Sequence, residues 1–289
     1  MPDTQKQTVQ WFPGHMAKTR RLIKESLALV DGVTELRDAR IPLSSTNPEI
    51  NELIQNKPKI IILNKADLAD SNATAKWIDY YAAKGLCAIA ADCRSGRGLN
   101  LYRNAVKNVL SDKIESNAKK GMAGKALRIM VVGIPNTGKS SFINRLAGNG
   151  KAKVEDRAGV TRHNQWYVIG QGIELLDTPG VLWPKFDDAD VGCKLAFTGG
   201  VKDDILDTEG LSLKLLEILS RNYPKRLSER YKISDFDNMP MWELLEYIGK
   251  KRGMLISGGE VDTLRTATML FDELRAGKLG KISFERPNL

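Results

Sequence analysis

The stretch KIIILNKADL, residues 59–68, decides how the rest of this chain is interpreted. Its apolar residues Ile60–Leu63 suit a short buried strand, and Asn64, Lys65 and Asp67 follow directly. An Asp carboxylate can accept hydrogen bonds from both N1–H and the 2-amino group of guanine, a pair of donors that adenine lacks. The Asn-Lys-x-Asp pattern therefore predicts a guanine-binding loop at the carboxyl end of a strand.

A second stretch, GIPNTGKSS at residues 133–141, predicts a phosphate loop. It follows the apolar segment Leu127–Gly133, which suits a buried strand, and precedes a helical pattern over Lys139–Ala147. Glycines let backbone N–H groups close around phosphates, and a helix N-terminus adds a favourable dipole. We expect Lys139 to reach the β- and γ-phosphates and Ser140 to bind Mg²⁺. The nucleotide-binding residues predicted here are Asn136, Thr137, Gly138, Lys139, Ser140 and Ser141.

Downstream, the stretch LLDTPG contains the residues expected around the γ-phosphate. Asp177 ends an apolar segment, where a carboxylate can hold Mg²⁺ through its water, and the N–H of Gly180 can contact the γ-phosphate. Thr161, between this stretch and the phosphate loop, is the candidate to close over Mg²⁺ and the γ-phosphate. The predicted magnesium ligands are therefore Ser140, Thr161 and Asp177, and the predicted nucleotide is GTP.

The order of these motifs is unusual, because the guanine-binding loop precedes the phosphate loop. In a doubly wound sheet the ligand-binding loops all lie at the carboxyl ends of the strands, so a chain cut elsewhere and rejoined keeps its site. ADCRSG, residues 91–96, would then form the loop behind the base through Asp92 and Cys93. We expect Ser111–Ala126 to be the connector that joins the old termini. The order predicts a circularly permuted P-loop GTPase domain.

Strand-like and helical segments alternate through the first part of the chain, which indicates a parallel α/β sheet. Predicted strands cover Val33–Ala39, Ile60–Leu63, Cys87–Asp92 and Leu127–Gly133, and residues 163–180 predict a hairpin with its turn at Gly170–Gly172. Predicted helices cover His15–Val30, Thr74–Lys84, Leu99–Leu110, Leu211–Arg221, Met241–Lys251 and Glu260–Arg275. The sequence thus predicts a Ras-like doubly wound α/β domain over residues 1–185 and a small all-helical domain over 186–289.

Composition and charge narrow the class of protein. The 289 residues are 42% hydrophobic, with a formal net charge of +9 at pH 7, which favours a polyanionic partner such as RNA, DNA or an acidic membrane surface. The apolar runs are too short to span a bilayer, and the N-terminus has the pattern of neither a signal nor a transit peptide. The three cysteines match no disulfide framework and no metal motif. We expect a cytoplasmic protein with no membrane partner, monomeric in solution.

The segments WFPGHMAK, DARIP, NKAD, GIPNTGKSS and DTPG occur in this order and precede the helical region. This set closely resembles the bacterial ribosome biogenesis GTPase A family over nearly the whole chain. The resemblance implies a GTPase that acts late in assembly of the large (50S) ribosomal subunit, with a helical C-terminal domain that contacts ribosomal RNA. The chain departs from the family at Asp92-Cys93, where Ser-Ala or Asn-Ser is common, so the residue behind the guanine stays open.

Two further residues bear on hydrolysis. Ras-like enzymes place a Gln directly after the Asp-x-x-Gly turn to orient the attacking water, whereas this chain has Val181. His15 lies at the predicted start of a helix, which disfavours imidazolium and leaves a neutral acceptor for water. From the sequence alone a surface histidine on a packed N-terminal segment is the simpler interpretation, whereas the resemblance favours water positioning. The resemblance also implies that Asn136 helps to coordinate K⁺ beside the phosphates. The alternative is that Asn136 only favours the turn by hydrogen bonding to its own backbone.

Basic residues gather in Lys18–Lys24, in the predicted connector, in Lys250–Arg252, and at Arg275, Lys278 and Lys281. Together with the helical region they predict phosphate contacts spread over folded RNA. Three functions stay open: an assembly GTPase that binds the large subunit with GTP and is released on hydrolysis, a GTP-controlled protein-binding switch, and a non-hydrolysing guanine-nucleotide sensor. Salt-sensitive binding to ribosomal particles would favour the first, salt-insensitive binding to one protein the second, and stimulated turnover would exclude the third.

Overall fold

A computed structural model of the chain describes residues 13–148, 165–180, 182–183, 188–201 and 207–287. These residues divide into two compact units. The first contains the described residues up to position 183 together with residues 285–287, and the second contains residues 188–201 and 207–284. No described helix is both long and apolar enough to cross a bilayer.

The first unit is built on a six-stranded sheet with the strand order β3-β2-β1-β4-β6-β5. The strands are β1 Gly32–Asp38, β2 Lys59–Asn64, β3 Cys87–Ala90, β4 Leu127–Val132, β5 Gln165–Val168 and β6 Ile173–Asp177. All neighbours pair in parallel except the edge strand β5, which is antiparallel to β6. The predicted hairpin is confirmed, since residues 169–172 join β5 to β6.

Helices cover both faces of this sheet, which explains why the inner strands β2 and β4 are almost continuously apolar. The helices of the first unit are α1 Pro13–Leu27, α2 Pro48–Ile54, α3 Ser71–Ala83, α4 Tyr102–Val109, α5 Ser111–Lys119 and α6 Lys139–Ala147. On one face, Tyr102 of α4 and Phe142 of α6 pack against Leu36 and Val131. On the other face, helices α1 and α2 pack against Met130 and its neighbours.

Two of these helices lie in segments where the sequence predicted no helix. Helix α2 forms because Asn47 caps it by accepting from the N–H of Ile50 at 3.2 Å and Pro48 opens its first turn. Helix α5 occupies most of Ser111–Ala126, the predicted connector. Asp112 in its first turn and Lys119 in its last suit the helix dipole, so this polar segment is helical without an apolar stripe.

The second unit is helical, as predicted, and consists of α7 Ala189–Thr198, α8 Thr208–Asn222, α9 Pro224–Tyr231, α10 Met241–Lys251 and α11 Thr263–Arg275. Its core is formed mainly by the apolar stripes of α8, α10 and α11, with Leu216, Ile248 and Leu270 fully buried. Helices α7 and α9 were not predicted; α9 has only eight residues, most of them polar or charged. A buried carboxylate, Glu273, binds Arg230 and accepts from the Tyr231 hydroxyl at 3.0 Å.

The boundary between the units differs from the prediction at the C-terminus. Residues 186–289 were all assigned to the helical domain, whereas residues 285–287 belong to the first unit. The physical reason is the Glu285 carboxylate, which accepts hydrogen bonds from the backbone N–H groups of Leu43 and Ser44. The chain therefore leaves the first unit, forms the helical unit and returns.

Candidate nucleotide site

The site lies at the carboxyl ends of the parallel strands, where the sheet order brings four loops to one edge. Strand β4 ends at the phosphate loop, β2 at the guanine-binding loop (residues 64–67), β3 at the base-backing loop (residues 91–96) and β6 at Asp177. The permuted order of motifs along the chain is therefore compatible with a single site.

The phosphate loop turns sharply between β4 and α6. Asn136 has a φ of +61° and Gly138 a φ of +93°, and a Cβ on Gly138 would stand 2.3 Å from Asn64 Nδ2. Only glycine allows this approach of the guanine-binding loop. The Thr137 side chain is buried and donates to the Ile134 carbonyl at 2.8 Å, which stabilises the turn. The side chains of Asn136, Ser140 and Ser141 are exposed, the two serines in the first turn of α6.

Lys139 is folded back into the phosphate loop. Its Nζ donates to the carbonyl oxygens of Gly133 and Ile134, both at 2.9 Å. Burial lowers the pKa of Lys139 to about 8, although the negative charge of Asp177 opposes this. A buried ammonium bound only to neutral carbonyls can exchange them for phosphate oxygens, which are better partners.

Asp177 and Gly180 flank this lysine. Asp177 pairs with Val131 in the β4–β6 register, so the carboxylate lies beside the start of the phosphate loop. Burial raises the pKa of Asp177 above its ordinary value, against the opposing charge of Lys139. A Cβ on Gly180 would stand 2.5 Å from Lys139 Nζ, so the Gly180 backbone closely approaches the ammonium.

Asn64 joins three of the loops through one buried side chain. Its Nδ2 donates to the Thr137 carbonyl at 2.6 Å, and its Oδ1 accepts from the Cys93 N–H at 2.9 Å. The amide thus uses its donor on the phosphate loop and its acceptor on the base-backing loop, so a carboxylate of the same shape could not replace it.

Lys65 and Asp67 follow Asn64 but are less buried. Lys65 has a φ of +61°, and its Nζ lies 3.0 Å from the Asp38 carboxylate. Asp67 is a quarter exposed, and its carboxylate lies 3.7 Å from the Arg94 guanidinium, a pair too exposed to contribute much stability. The Asp67 carboxylate is therefore accessible to the base of a bound nucleotide.

The base-backing loop is held from within and from α6. The Asp92 carboxylate accepts from the Arg94 N–H at 2.9 Å, and Arg145 of α6 donates to the Arg94 carbonyl at 2.7 Å. Cys93 is buried, and burial raises the pKa of its thiol to about 12, so the thiol is neutral and apolar in character. Of the Asp92-Cys93 pair, it is Cys93 that donates a backbone hydrogen bond to the Asn64 side chain.

Two predicted residues have side chains outside the described part of the chain. Thr161 lies wholly outside it. His15 lies in the first turn of α1, as the sequence predicted, but its side chain is not among those described.

The sequence did not predict that the end of β1 supports the guanine-binding loop. Asp38, the last residue of β1, is buried and binds Arg40 through both carboxylate oxygens, at 2.9 and 2.7 Å. Burial alone would raise the pKa of Asp38, but the charges of Arg40 and Lys65 hold it well below its usual range. The segment DARIP carries this arrangement, yet the sequence alone does not indicate that Asp38 faces Lys65. Arg145 was missed for the same reason.

Comparison with known proteins agrees with this geometry. Residues 128–235 match the protein family described as 50S ribosome-binding GTPase. The chain is 47% identical over 279 residues to the ribosome biogenesis GTPase A of Bacillus cereus, covering 96% of this chain and 94% of that protein. It is 32% identical over 279 residues to the ribosome biogenesis GTPase A of Thermotoga maritima, covering 96% and 95% of the two chains.

Solved structures give the same result for the fold. A GDP-bound structure of T. maritima YlqF is similar with a TM-score of 0.68 at 31% identity, covering 92% of this chain and 99% of that one. The predicted fold, a circularly permuted P-loop GTPase domain followed by a helical region, is confirmed. With relatives this similar over nearly its full length, the chain belongs to the ribosome biogenesis GTPase A family.

Proposed function

We propose that this protein hydrolyses GTP as an assembly factor of the large ribosomal subunit, binding the subunit in the GTP state and leaving after hydrolysis. The observation that carries the proposal is the Asn64 side chain, which joins the guanine-binding loop to the phosphate loop at 2.6 Å. Guanine and phosphate contacts are thereby coupled within one site. The names and functions of the relatives supply the ribosomal context.

Within this proposal the nucleotide contacts divide between base and phosphates. Asp67 accepts from the guanine N1–H and 2-amino groups, the Lys65 stem covers the base, and Asp92 and Cys93 stand behind it. Thr137, Gly138, Lys139 and Ser141 surround the phosphates, with the Gly180 N–H at the γ-phosphate.

Mg²⁺ fits the oxygen groups that the chain offers here. Ser140 has an exposed hydroxyl in the first turn of α6, and Asp177 ends the strand next to β4. Oxygen donors of this kind are those that Mg²⁺ prefers. We propose Ser140 and Thr161 as direct ligands and Asp177 as a ligand through water. The ion supplies charge that stabilises the transferred phosphoryl group.

Water activation is assigned to His15 and additional charge stabilisation to K⁺ near Asn136. Val181 replaces the Gln that orients water in Ras-like enzymes, so another group must do so. A K⁺ ion beside the phosphates would neutralise developing charge much as an arginine finger does. The exposed Asn136 side chain on the phosphate loop supports this assignment.

Ribosomal RNA is the proposed partner of the exposed basic residues. Lys18, Arg20, Lys250, Lys251 and Lys278 are all exposed. Arg275 was grouped with them in the sequence, but its guanidinium donates to the Ala196 carbonyl at 2.7 Å and so packs within the helical unit. We propose that the protein acts as a monomer in the cytoplasm, where bacterial ribosomes are assembled.

The test is GTP turnover with and without purified large subunits, in potassium and in sodium buffer. We expect strong stimulation by the subunit, more in potassium than in sodium, and loss of stimulation in His15→Ala with GTP binding intact. Asn136→Ala should remove the difference between the two cations. Absence of stimulation with GTP still bound would favour the protein-binding switch or the sensor instead.

A further inference from the structure

Glu285 is the residue at which the chain leaves the helical unit and re-enters the first unit. It is buried in the first unit. Its Oε2 accepts from the Leu43 N–H at 2.7 Å and its Oε1 from the Ser44 N–H at 3.1 Å. The Ser44 hydroxyl donates to the same carboxylate. Glu285 and Ser44 are 8% and 3% exposed, so these charge-assisted hydrogen bonds are shielded from water. Residues 43 and 44 belong to the loop that leads from β1 to α2.

The backbone of Glu285 makes a second contact, with the element that follows the guanine-binding loop. Its carbonyl accepts from Trp77 Nε1 at 3.3 Å, and Trp77 of α3 is fully buried. Helix α3 begins at Ser71, four residues after Asp67. Glu285 therefore binds both the loop after β1 and the helix after β2; the guanine-binding loop contacts the start of the first element and leads along the chain into the second.

A continuous set of contacts leads from the Glu285 side to Lys65. Ser45, next to Ser44, accepts from the Asp38 N–H at 3.0 Å through its hydroxyl. The Asp38 carboxylate lies 3.0 Å from Lys65 Nζ. The following N–H, of Ala39, donates to the Asn64 carbonyl at 2.8 Å. The loop that Glu285 binds is thus the same loop that positions Asn64 and Lys65.

We propose that Glu285 is a positioning residue for the guanine-binding loop, so that guanine recognition depends on the segment that follows the helical unit. The inference rests on the proposed role of Asn64, Lys65 and Asp67 as the guanine site. Glu285 is covalently joined to the helical unit through Phe284. A partner that pulls this junction away would loosen the guanine site and speed nucleotide release, and bound nucleotide would in turn stabilise the attached segment, because coupling between two sites is reciprocal.

The test measures affinity for GDP and for IDP, whose base lacks the 2-amino group that Asp67 is proposed to bind. Glu285→Ala removes an acceptor shared by three donors, two of them on the buried Ser44, and Glu285→Gln keeps the size of the side chain in case the alanine variant unfolds. We expect about tenfold weaker GDP binding, faster GDP release and a reduced preference for GDP over IDP. Glu229→Ala, an exposed glutamate of the helical unit, is the matched control.

A second pair of variants isolates the terminal segment. A chain ending at Arg286 keeps Glu285 with its carbonyl, and a chain ending at Phe284 lacks both. Only the shorter chain should lose guanine preference. Combining Glu285→Ala with Asp38→Asn should weaken GDP binding less than the product of the single effects, because both act on Lys65 through one loop.

Two results would overturn the inference. One is a folded Glu285→Gln or Glu285→Ala variant with unchanged GDP affinity and unchanged GDP-over-IDP preference. The other is an equal loss of GDP and IDP affinity accompanied by a lower melting temperature, which would make Glu285 a purely structural residue. Failure of the proposed function looks different, because the unmodified protein would then show no preference for GDP over ADP.

Discussion

Replacing Asn64 by alanine tests whether one buried amide holds the nucleotide site together. The substitution leaves the Thr137 carbonyl and the Cys93 N–H without the partners that they have at 2.6 and 2.9 Å. Each unsatisfied buried group costs about 1–3 kcal/mol. Because a water molecule can enter the space left by the amide, we take the lower end of this range for both groups. The free energy of unfolding of the first unit should fall by about 2–3 kcal/mol.

For a unit of this size, such a loss corresponds to a melting temperature lower by about 4–12 °C. The assay is thermal unfolding with and without GDP, since the transition that GDP raises identifies the first unit in a chain with two units. GDP affinity should fall as well, because the guanine-binding and phosphate loops are no longer joined. Asn108→Ala, at an exposed position of α4, should change stability by no more than about 0.5 kcal/mol. An Asn64→Ala protein with unchanged melting temperature and GDP affinity would refute the reasoning.

Three further predictions concern the same site. Since burial lowers the pKa of Lys139 to about 8, GDP affinity should be constant below about pH 7.5 and fall above about pH 8 by up to about tenfold per pH unit. The free energy of unfolding of the unliganded protein should rise between about pH 8 and the ordinary lysine pKa of 10.5, because in this range the unfolded chain binds the proton and the folded chain does not. Lys139→Met should remove the pH dependence of both GDP affinity and stability. If either dependence remained, Lys139 would not be the group responsible. Asp67→Asn should bind XDP in preference to GDP, and titrations should show GDP affinity reduced about a hundredfold. Preserved GDP affinity would exclude Asp67 as the guanine acceptor. Arg145→Ala removes the hydrogen bond to the Arg94 carbonyl and should raise the GDP dissociation constant about two- to fivefold, whereas an unchanged constant would show that the base-backing loop holds without it.

Much of the candidate site could be predicted because its motifs reside in short windows of sequence. Glycines and a lysine before a helix indicate phosphate binding, and Asn64-Lys65-x-Asp67 after an apolar strand indicates a guanine base. That these windows meet followed from the rule that loops at the carboxyl ends of parallel strands share one edge. The observed strand order satisfies this rule despite the permuted chain.

Helices were not predicted where the local sequence pattern is weak. Helix α2 depends on a cap at Asn47 within a turn-rich segment, and helix α5 has polar residues with no clear apolar stripe. Both form because capping, dipole and tertiary contacts outweigh a poor periodic signal.

The sequence by itself determined the fold class, the nucleotide motifs and the helical character of the second unit, since each depends on residues close together in the chain. Only the tertiary structure decided which side chains support those motifs. Asp38 and Lys65 meet across neighbouring strands, and Glu285 meets Ser44 across 241 positions of sequence. Contacts of this range leave no periodic or local trace, because they arise from where the packed elements bring the chain rather than from the residues beside it.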